Sequence, residues 1–405
     1  MFKKHTGADS IMSKTSVTRS DLFMNEVDWS EQDHFHMSEA LKLAALGQFT
    51  TTPNPNVGCV VLDAYGRQVG KGWHRQAGQA HAEVNALEQA AERAIDGTMY
   101  VTLEPCSHFG KTPPCADAII KACLARVVVA MPDPNPRVAG RGIDRLIENS
   151  IKTDVGLMQS QAYQLNAGFC KRMEQGLPRV NVKMAVSMDG KIALLNGQSK
   201  WITGALARRD VQRHRAKSCA ILSGSDTVII DDPSLNVRPD ELNLENGHVY
   251  FQTNRQPLKV ILDGRNRITG QEKLFSLSGN VVVMNRKHNA VLFSNTDPSK
   301  VQQFQIATAQ GKLNLKNVLT KLAELGCNDV WVEAGPTLAG ALIQQELVDS
   351  LILYQAPKLL GNNSVDAFTL TELQNLQDAK QMHIQDIRQL GNDVRITASL
   401  VNQRV

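Results

Sequence analysis

A chain of 405 residues is long enough for two domains of ordinary size, each with its own core. It is 42% hydrophobic and 21% charged, and a net charge of +4 over that length excludes a broad nucleic-acid footprint while allowing a local basic pocket. Seven cysteines, scattered from Cys59 to Cys327, do not form a secreted disulfide framework, and no apolar run is long enough for a membrane span, so a cytoplasmic location is expected.

Residues 1–33 are polar and mildly basic, with Lys3, Lys4, Lys14 and Arg19 and no apolar signal-peptide core; a flexible leader is expected. A helix over 38–47 follows, with Ser38 as cap and Gly47 as stop. Thr52-Pro53-Asn54-Pro55-Asn56 is a rigid turn, and 57–62 and 68–73 read as strands. The pattern then predicts a helix over 81–94, a strand over 99–103, a helix from Pro114 through Leu124 and a strand over 127–131. Strands alternating with helices give a layered α/β domain.

His81-Ala82-Glu83, Pro105-Cys106 and Cys115 stand out within this stretch. One imidazole and two thiols can hold zinc and leave a fourth position open for water. A carboxylate two residues after the His can handle that water's proton. Placing His81, Cys106 and Cys115 at helix starts would favour thiolate at the two sulfurs. The arrangement matches the zinc deaminase signature, with a longer gap between the thiols than its usual C-x-x-C.

The loop Asp133 to Gly142 sits between a strand and a helix but lacks the third glycine of a dinucleotide loop; it reads instead as a structured loop shaping the zinc pocket. Residues 158–175 look helical and 175–178 break the pattern, dividing the chain into 34–177 and 178–405. The second series has strands at 180–186, 220–222, 258–262, 280–284, 329–333, 350–356 and 394–401. Its helix 205–217 carries Arg208 and Arg215 on one face and Arg209 and Arg213 on the neighbouring one, either a solvated basic face or a phosphate clamp. A helix beginning at Pro336 offers backbone N–H groups to a phosphate, although Gly335-Pro336 also suits simple packing.

Several motifs in one order resemble the bifunctional riboflavin-biosynthesis deaminase–reductases from about residue 34 onward. They are Thr52 to Gly58, His81-Ala82-Glu83, Pro105-Cys106 with Pro114-Cys115, and the 133–142 loop. In the second half they are Ser187 to Lys191, Trp201-Ile202-Thr203, Asp231-Asp232-Pro233 and 333–340. The resemblance implies an α/β protein: a cytidine-deaminase-like three-layer domain followed by a dihydrofolate-reductase-like α/β domain. It implies zinc-dependent deamination of 2,5-diamino-6-(ribosylamino)pyrimidin-4-one 5′-phosphate, then NADPH-dependent reduction of the ribosyl group to ribityl. Zinc would lie on His81, Cys106 and Cys115, with Glu83 moving protons and Asn54, His74 and Lys111 contacting substrate.

In the reductase the resemblance places NADPH near Ala185, Trp201, Thr227, Asp231, Gly335, Pro336, Thr337, Leu338, Ala339, Gly340 and Ala341. The substrate would meet Ser199, Arg215, Leu235, Arg238 and Glu333, with Lys183 and Glu333 assisting reduction. The partners expected are a small phosphorylated pyrimidine and further copies of the chain, as a dimer or tetramer, with neither nucleic acid nor membrane. A nucleic-acid deaminase would need a basic track and would leave the second half without a purpose. A structural zinc would need a fourth protein ligand.

Overall fold

The first sheet orders its five strands β2-β1-β3-β4-β5, where β1 is Gly58–Leu62, β2 Gln68–Trp73, β3 Thr98–Val101, β4 Arg126–Val129 and β5 Lys152–Val155. In this computed structural model, which describes residues 27–107, 113–136, 138–244, 248–253 and 255–401, β1 pairs antiparallel with β2 and β3, and β3, β4 and β5 run parallel. Successive side chains of a strand face opposite ways. Val60, Tyr100 and Val128 accordingly meet Met37 and Ala40 of helix Glu31–Ala45 on one face. Cys59, Val61, Met99 and Val127 meet helices Ala82–Ala90, Cys115–Lys121 and Arg141–Glu148 on the other. The result is three layers, as expected.

Helix 31–45 begins seven residues before the expected start at 38. Ser30 and Asp33 form a capping box, with the Ser30 hydroxyl accepting from Asp33 N and the Asp33 carboxylate accepting from Ser30 N, each at 3.1 Å. Residues 31–33 therefore belong to this helix, not to a leader. The strand β5, Lys-Thr-Asp-Val, was not anticipated; as an edge strand it needs no apolar run.

The second sheet has nine strands, in the order 301–305, 281–285, 258–263, 220–224, 329–333, 179–187, 350–356, 393–400 and 382–390. The first seven are parallel and the last two form an antiparallel hairpin against them. One face buries Val180, Val182, Leu319 and Leu342; the other buries Val211, Ile221, Trp331 and Tyr354. Both edge strands, 301–305 and 382–390, are polar and escaped the pattern reading. At the carboxyl side of the parallel strands, Lys183, Gly224, Gly264, Arg286 and Glu333 lie along one crevice, where open α/β sheets bind ligands.

The two sheets meet through the turn before β1. Phe49 packs in a cluster with Ala216, Val237, Leu242 and Tyr250. Its carbonyl accepts from Arg255 at 3.2 Å, and the Pro53 carbonyl accepts from Asn328 at 3.1 Å and Arg172 at 3.2 Å. Lys171 and the Val180 N–H both reach the Asp349 carboxylate, at 2.6 and 2.7 Å.

Two candidate active sites

The first site depends on how closely a helix can approach β2. A Cβ at Gly72 would run into the Ala82 carbonyl, so glycine lets helix 82–90 lie directly on the strand. His81 caps that helix without a side-chain capping bond, which leaves its ring to face outward from the helix start. Its Nδ1 lies 3.6 Å from Cys106 Sγ and 3.2 Å from Cys115 Sγ, and the three ligand atoms lie within 4.8 Å of one another. An N,S,S donor set at this spacing fits zinc with a position left for water. Cys115 opens its helix as expected, but Cys106 lies in the irregular chain after β3, not at a helix start. It still gains from the helix, because the Cys115 backbone N–H donates to its sulfur at 3.3 Å. The Cys115 contact, more than any other, pulls the Cys106 thiol down to about 4, and the Cys106 contact pushes Cys115 up.

Glu83 is 3% exposed, and burial pushes its carboxyl above the usual range. His74, expected to contact substrate, is held by two hydrogen bonds. Its Nδ1 donates to the Ala80 carbonyl at 3.2 Å, so its Nε2 accepts from the Asn54 amide at 3.1 Å. With both nitrogens engaged and 2% exposure, it orients Asn54 and leaves the Asn54 oxygen free to accept. Lys111 lies outside the described residues.

Glu104 was missed. Buried three residues after β3, its carboxylate accepts from the backbone N–H groups of Asp133 and Gly140 at 3.0 Å and Gly142 at 2.8 Å. This holds Asp133, Gly140 and Gly142 against Glu104, with Gly142 close to the Pro105 carbonyl. The signal was available: an acid just before the metal thiol, with a glycine-containing loop still lacking partners for its N–H groups.

The second site is a cavity of about 1100 Å³ along the crevice of the large sheet. Lys183, Ala185, Ser199, Trp201, Arg215, Thr227, Asp231, Leu235, Arg238, Glu333, Gly335, Pro336, Thr337, Leu338 and Ala341 all line it. Ala339 and Gly340 do not; they are buried on the far side of their helix, where a Cβ at Gly340 would strike the Thr369 carbonyl. Leu235 is 1% exposed with its side chain in the core, which leaves its backbone for a ligand. Gly335 caps helix Pro336–Gln344, and its N–H donates to Thr227 Oγ1 at 3.2 Å.

Lys183 and Glu333 are register partners on adjacent strands. Arg215 grips Glu333 with two bonds, Nε at 2.6 Å and Nη2 at 2.7 Å, and donates through Nη1 to the Asn236 carbonyl at 2.8 Å. Burial alone would raise the Glu333 carboxyl, but Arg215 outweighs it and holds the group at about 2. Burial also lowers the pKa of the Lys183 ammonium, against the pull of Glu333. Arg215, the candidate phosphate clamp, thus has its forked edge on a carboxylate and one further N–H on a backbone carbonyl. Arg208 lies over the Trp201 ring at 4.7 Å, while Arg209 and Arg213 are exposed, so the four arginines do not form one face of common purpose. The cavity lining also holds cations that the sequence reading left unassigned, Lys200, Arg265, Lys273, Arg286 and Lys312.

Residues 30–131 match the family model of the cytidine and deoxycytidylate deaminase zinc-binding region, and residues 178–396 match that of the RibD C-terminal domain. The chain is 49% identical over 364 residues to the riboflavin biosynthesis protein RibD of Escherichia coli (strain K12), covering 90% of this chain and 98% of that protein. It is 47% identical over 378 residues to the protein of that name from Haemophilus influenzae, covering 92% and 98%. Among solved structures, Acinetobacter baumannii RibD (form 2) superposes with a TM-score of 0.83 at 41% identity, covering 91% of this chain and 99% of the other. Zinc-ligand geometry in the first half, a nucleotide-sized cavity in the second and these likenesses across both place the chain in the RibD family of bifunctional riboflavin-biosynthesis deaminase–reductases.

Proposed function

We propose that residues 34–177 deaminate 2,5-diamino-6-(ribosylamino)pyrimidin-4-one 5′-phosphate and that residues 178–405 then reduce its ribosyl group, giving 5-amino-6-(ribitylamino)uracil 5′-phosphate. The observation that carries this reading is the His81–Cys106–Cys115 cluster beside buried Glu83, in a chain that also holds the Lys183–Glu333–Arg215 cavity. His81, Cys106 and Cys115 would hold zinc, which supplies the Lewis acidity that makes water nucleophilic at neutral pH. Glu83 takes the proton of the attacking water and delivers it to the ring nitrogen and then to departing ammonia. Asn54, fixed by His74, accepts from the pyrimidine edge, and Lys111 is a further substrate contact.

NADPH supplies the hydride of the second step. Its pyrophosphate suits the N-terminus of helix 336–344, with Ala185, Trp201, Thr227 and Asp231 around the rest of the cofactor. Arg286 and Lys312 offer cations to the phosphate that distinguishes NADPH from NADH. The hydride reaches the ribose carbon bearing the ring amine, and the sugar oxygen leaving that carbon takes a proton. Lys183 donates that proton, and Glu333, held as an anion, accepts from a ribose hydroxyl. Ser199, Arg238, the Leu235 backbone and the remaining N–H groups of Arg215 face the 5′-phosphate.

Two coarser expectations extend this reading. No described helix is long and apolar enough to cross a membrane, and the seven free cysteines suit a reducing cytoplasm. The exposed Ile384 and Ile387 on an open sheet edge support association with further copies as a dimer or tetramer, which sedimentation would measure. Incubating the protein with the diaminopyrimidine and NADPH tests the function directly. Mass spectrometry is expected to show replacement of one amine by oxygen and then gain of two hydrogens; an unchanged substrate would refute the proposal.

A further inference from the structure

Glu333 accepts a third hydrogen bond beyond the two from Arg215. The indole Nε1–H of Trp331 donates to Oε1 at 2.8 Å, the same oxygen that takes Arg215 Nε at 2.6 Å. Residues two apart on a strand share a face, so the indole lies behind the carboxylate on the same side of the sheet. A carboxylate oxygen has about two acceptor sites. Oε1 is thus filled, while Oε2, bonded to Arg215 Nη2 at 2.7 Å, keeps one free.

The indole is itself immobilised. Trp331 is 1% exposed and stacks on His214 with ring centroids 4.8 Å apart and planes 7° from parallel. Behind His214, Asp210 accepts from Tyr354 at 2.7 Å and from Arg395 at 2.9 Å, tying the stack to the C-terminal hairpin. Trp331 is absent from the cavity lining. Phenylalanine would give a comparable apolar stack, so the feature that sets tryptophan apart here is the N–H aimed at Glu333.

We infer that Trp331 is a positioning residue of the reductase: by filling Oε1 it leaves Oε2 as the single open acceptor of Glu333 and aims it at the sugar. The inference rests on the reading that Glu333 meets the substrate.

The test uses the full-length protein with NADPH and the deaminated substrate, product being counted by mass spectrometry at high enzyme concentration. Trp331→Phe is expected to lower kcat for reduction about tenfold, as losses of supporting hydrogen bonds around a site commonly do. KM for NADPH and ammonia release by the same preparation stay unchanged. In a Glu333→Ala background the same substitution is expected to change the rate less than about twofold, because the group it orients is gone. A fall of equal factor in both backgrounds would show a packing role and overturn the inference. So would an unchanged kcat in Trp331→Phe alongside a collapsed one in Glu333→Ala. Unimpaired reduction by Glu333→Ala would instead overturn the reading of Glu333 itself. Should Trp331→Phe misfold, benzothienylalanine at position 331 keeps the shape without the N–H and gives the same outcomes.

Discussion

In the first half of the chain, the metal ligands and the acid come from one stretch between His81 and Cys115, on segments joined by short connections. In the second half, Lys183, Arg215 and Glu333 are drawn from elements 150 residues apart and meet only because strands 179–187 and 329–333 are neighbours in the sheet. The first site is built by local folding and supported at one point by Glu104. The second is a consequence of topology, and Arg215 and Glu333 are paired before any ligand arrives. The lesson concerns vulnerability. A substitution in the first site should remove a chemical step, whereas one in the second should disturb several groups that hold each other in place.

The sharpest way to break this contrast is Glu83→Ala. Ammonia release should fall about 10³-fold or more, as befits loss of a general acid–base, with zinc content by mass spectrometry and reduction of the deaminated compound unchanged. If reduction falls as well, the two sites are not independent. Arg215→Ala should lower the kcat of reduction about 10²-fold, because Glu333 is left buried without its partner. An effect confined to KM for the phosphorylated substrate would restore the simple clamp. Glu104→Ala leaves at least three backbone N–H groups without an acceptor and should destabilise the first half by about 3 kcal/mol, read as an earlier thermal transition with loss of zinc. Arg286→Ala should raise KM for NADPH about tenfold, equivalent to ~1.4 kcal/mol, and leave that for NADH alone. An equal rise for both cofactors would move the extra phosphate elsewhere in the cavity.

A further effect is on acid stability. The Glu333 carboxyl is held at about 2, below its ordinary value of 4.5. A depressed acid contributes stability that is present in full above its unfolded value and is lost as pH falls toward its folded one. The second half should therefore weaken between about pH 4.5 and 2. Glu333→Gln should flatten that limb of an acid titration followed by circular dichroism.

Legibility in the sequence followed the same division. The zinc ligands and Glu83 could be read because ligand types at characteristic spacings have few other uses. The central strands of both sheets could be read because burial on both faces demands apolar runs, as at Val281–Asn285. The edge strands 152–155, 301–305 and 382–390 could not, since one side of each needs no neighbour. Arg215 showed its helix face but not the carboxylate waiting 118 residues away. Trp331 lies in a strand that the pattern predicts, but nothing in the sequence shows its N–H meeting Glu333. Ser30 was overlooked because Ser38 offered a cap nearer the apolar residues, although the Ser-x-x-Asp spacing was on view.

The turn from Phe49 to Pro53 carries a consequence for gene architecture. Its ring sits in a reductase cluster and its carbonyls are served by Arg255 and Asn328, while the next residue, Asn54, belongs to the deaminase pocket. Splitting this gene between residues 177 and 178 would strip that turn of its cover and present an apolar ring to solvent. Two separately encoded descendants would have to keep finding each other or rewrite Phe49, Tyr250 and Arg255 together, which favours leaving the fusion intact.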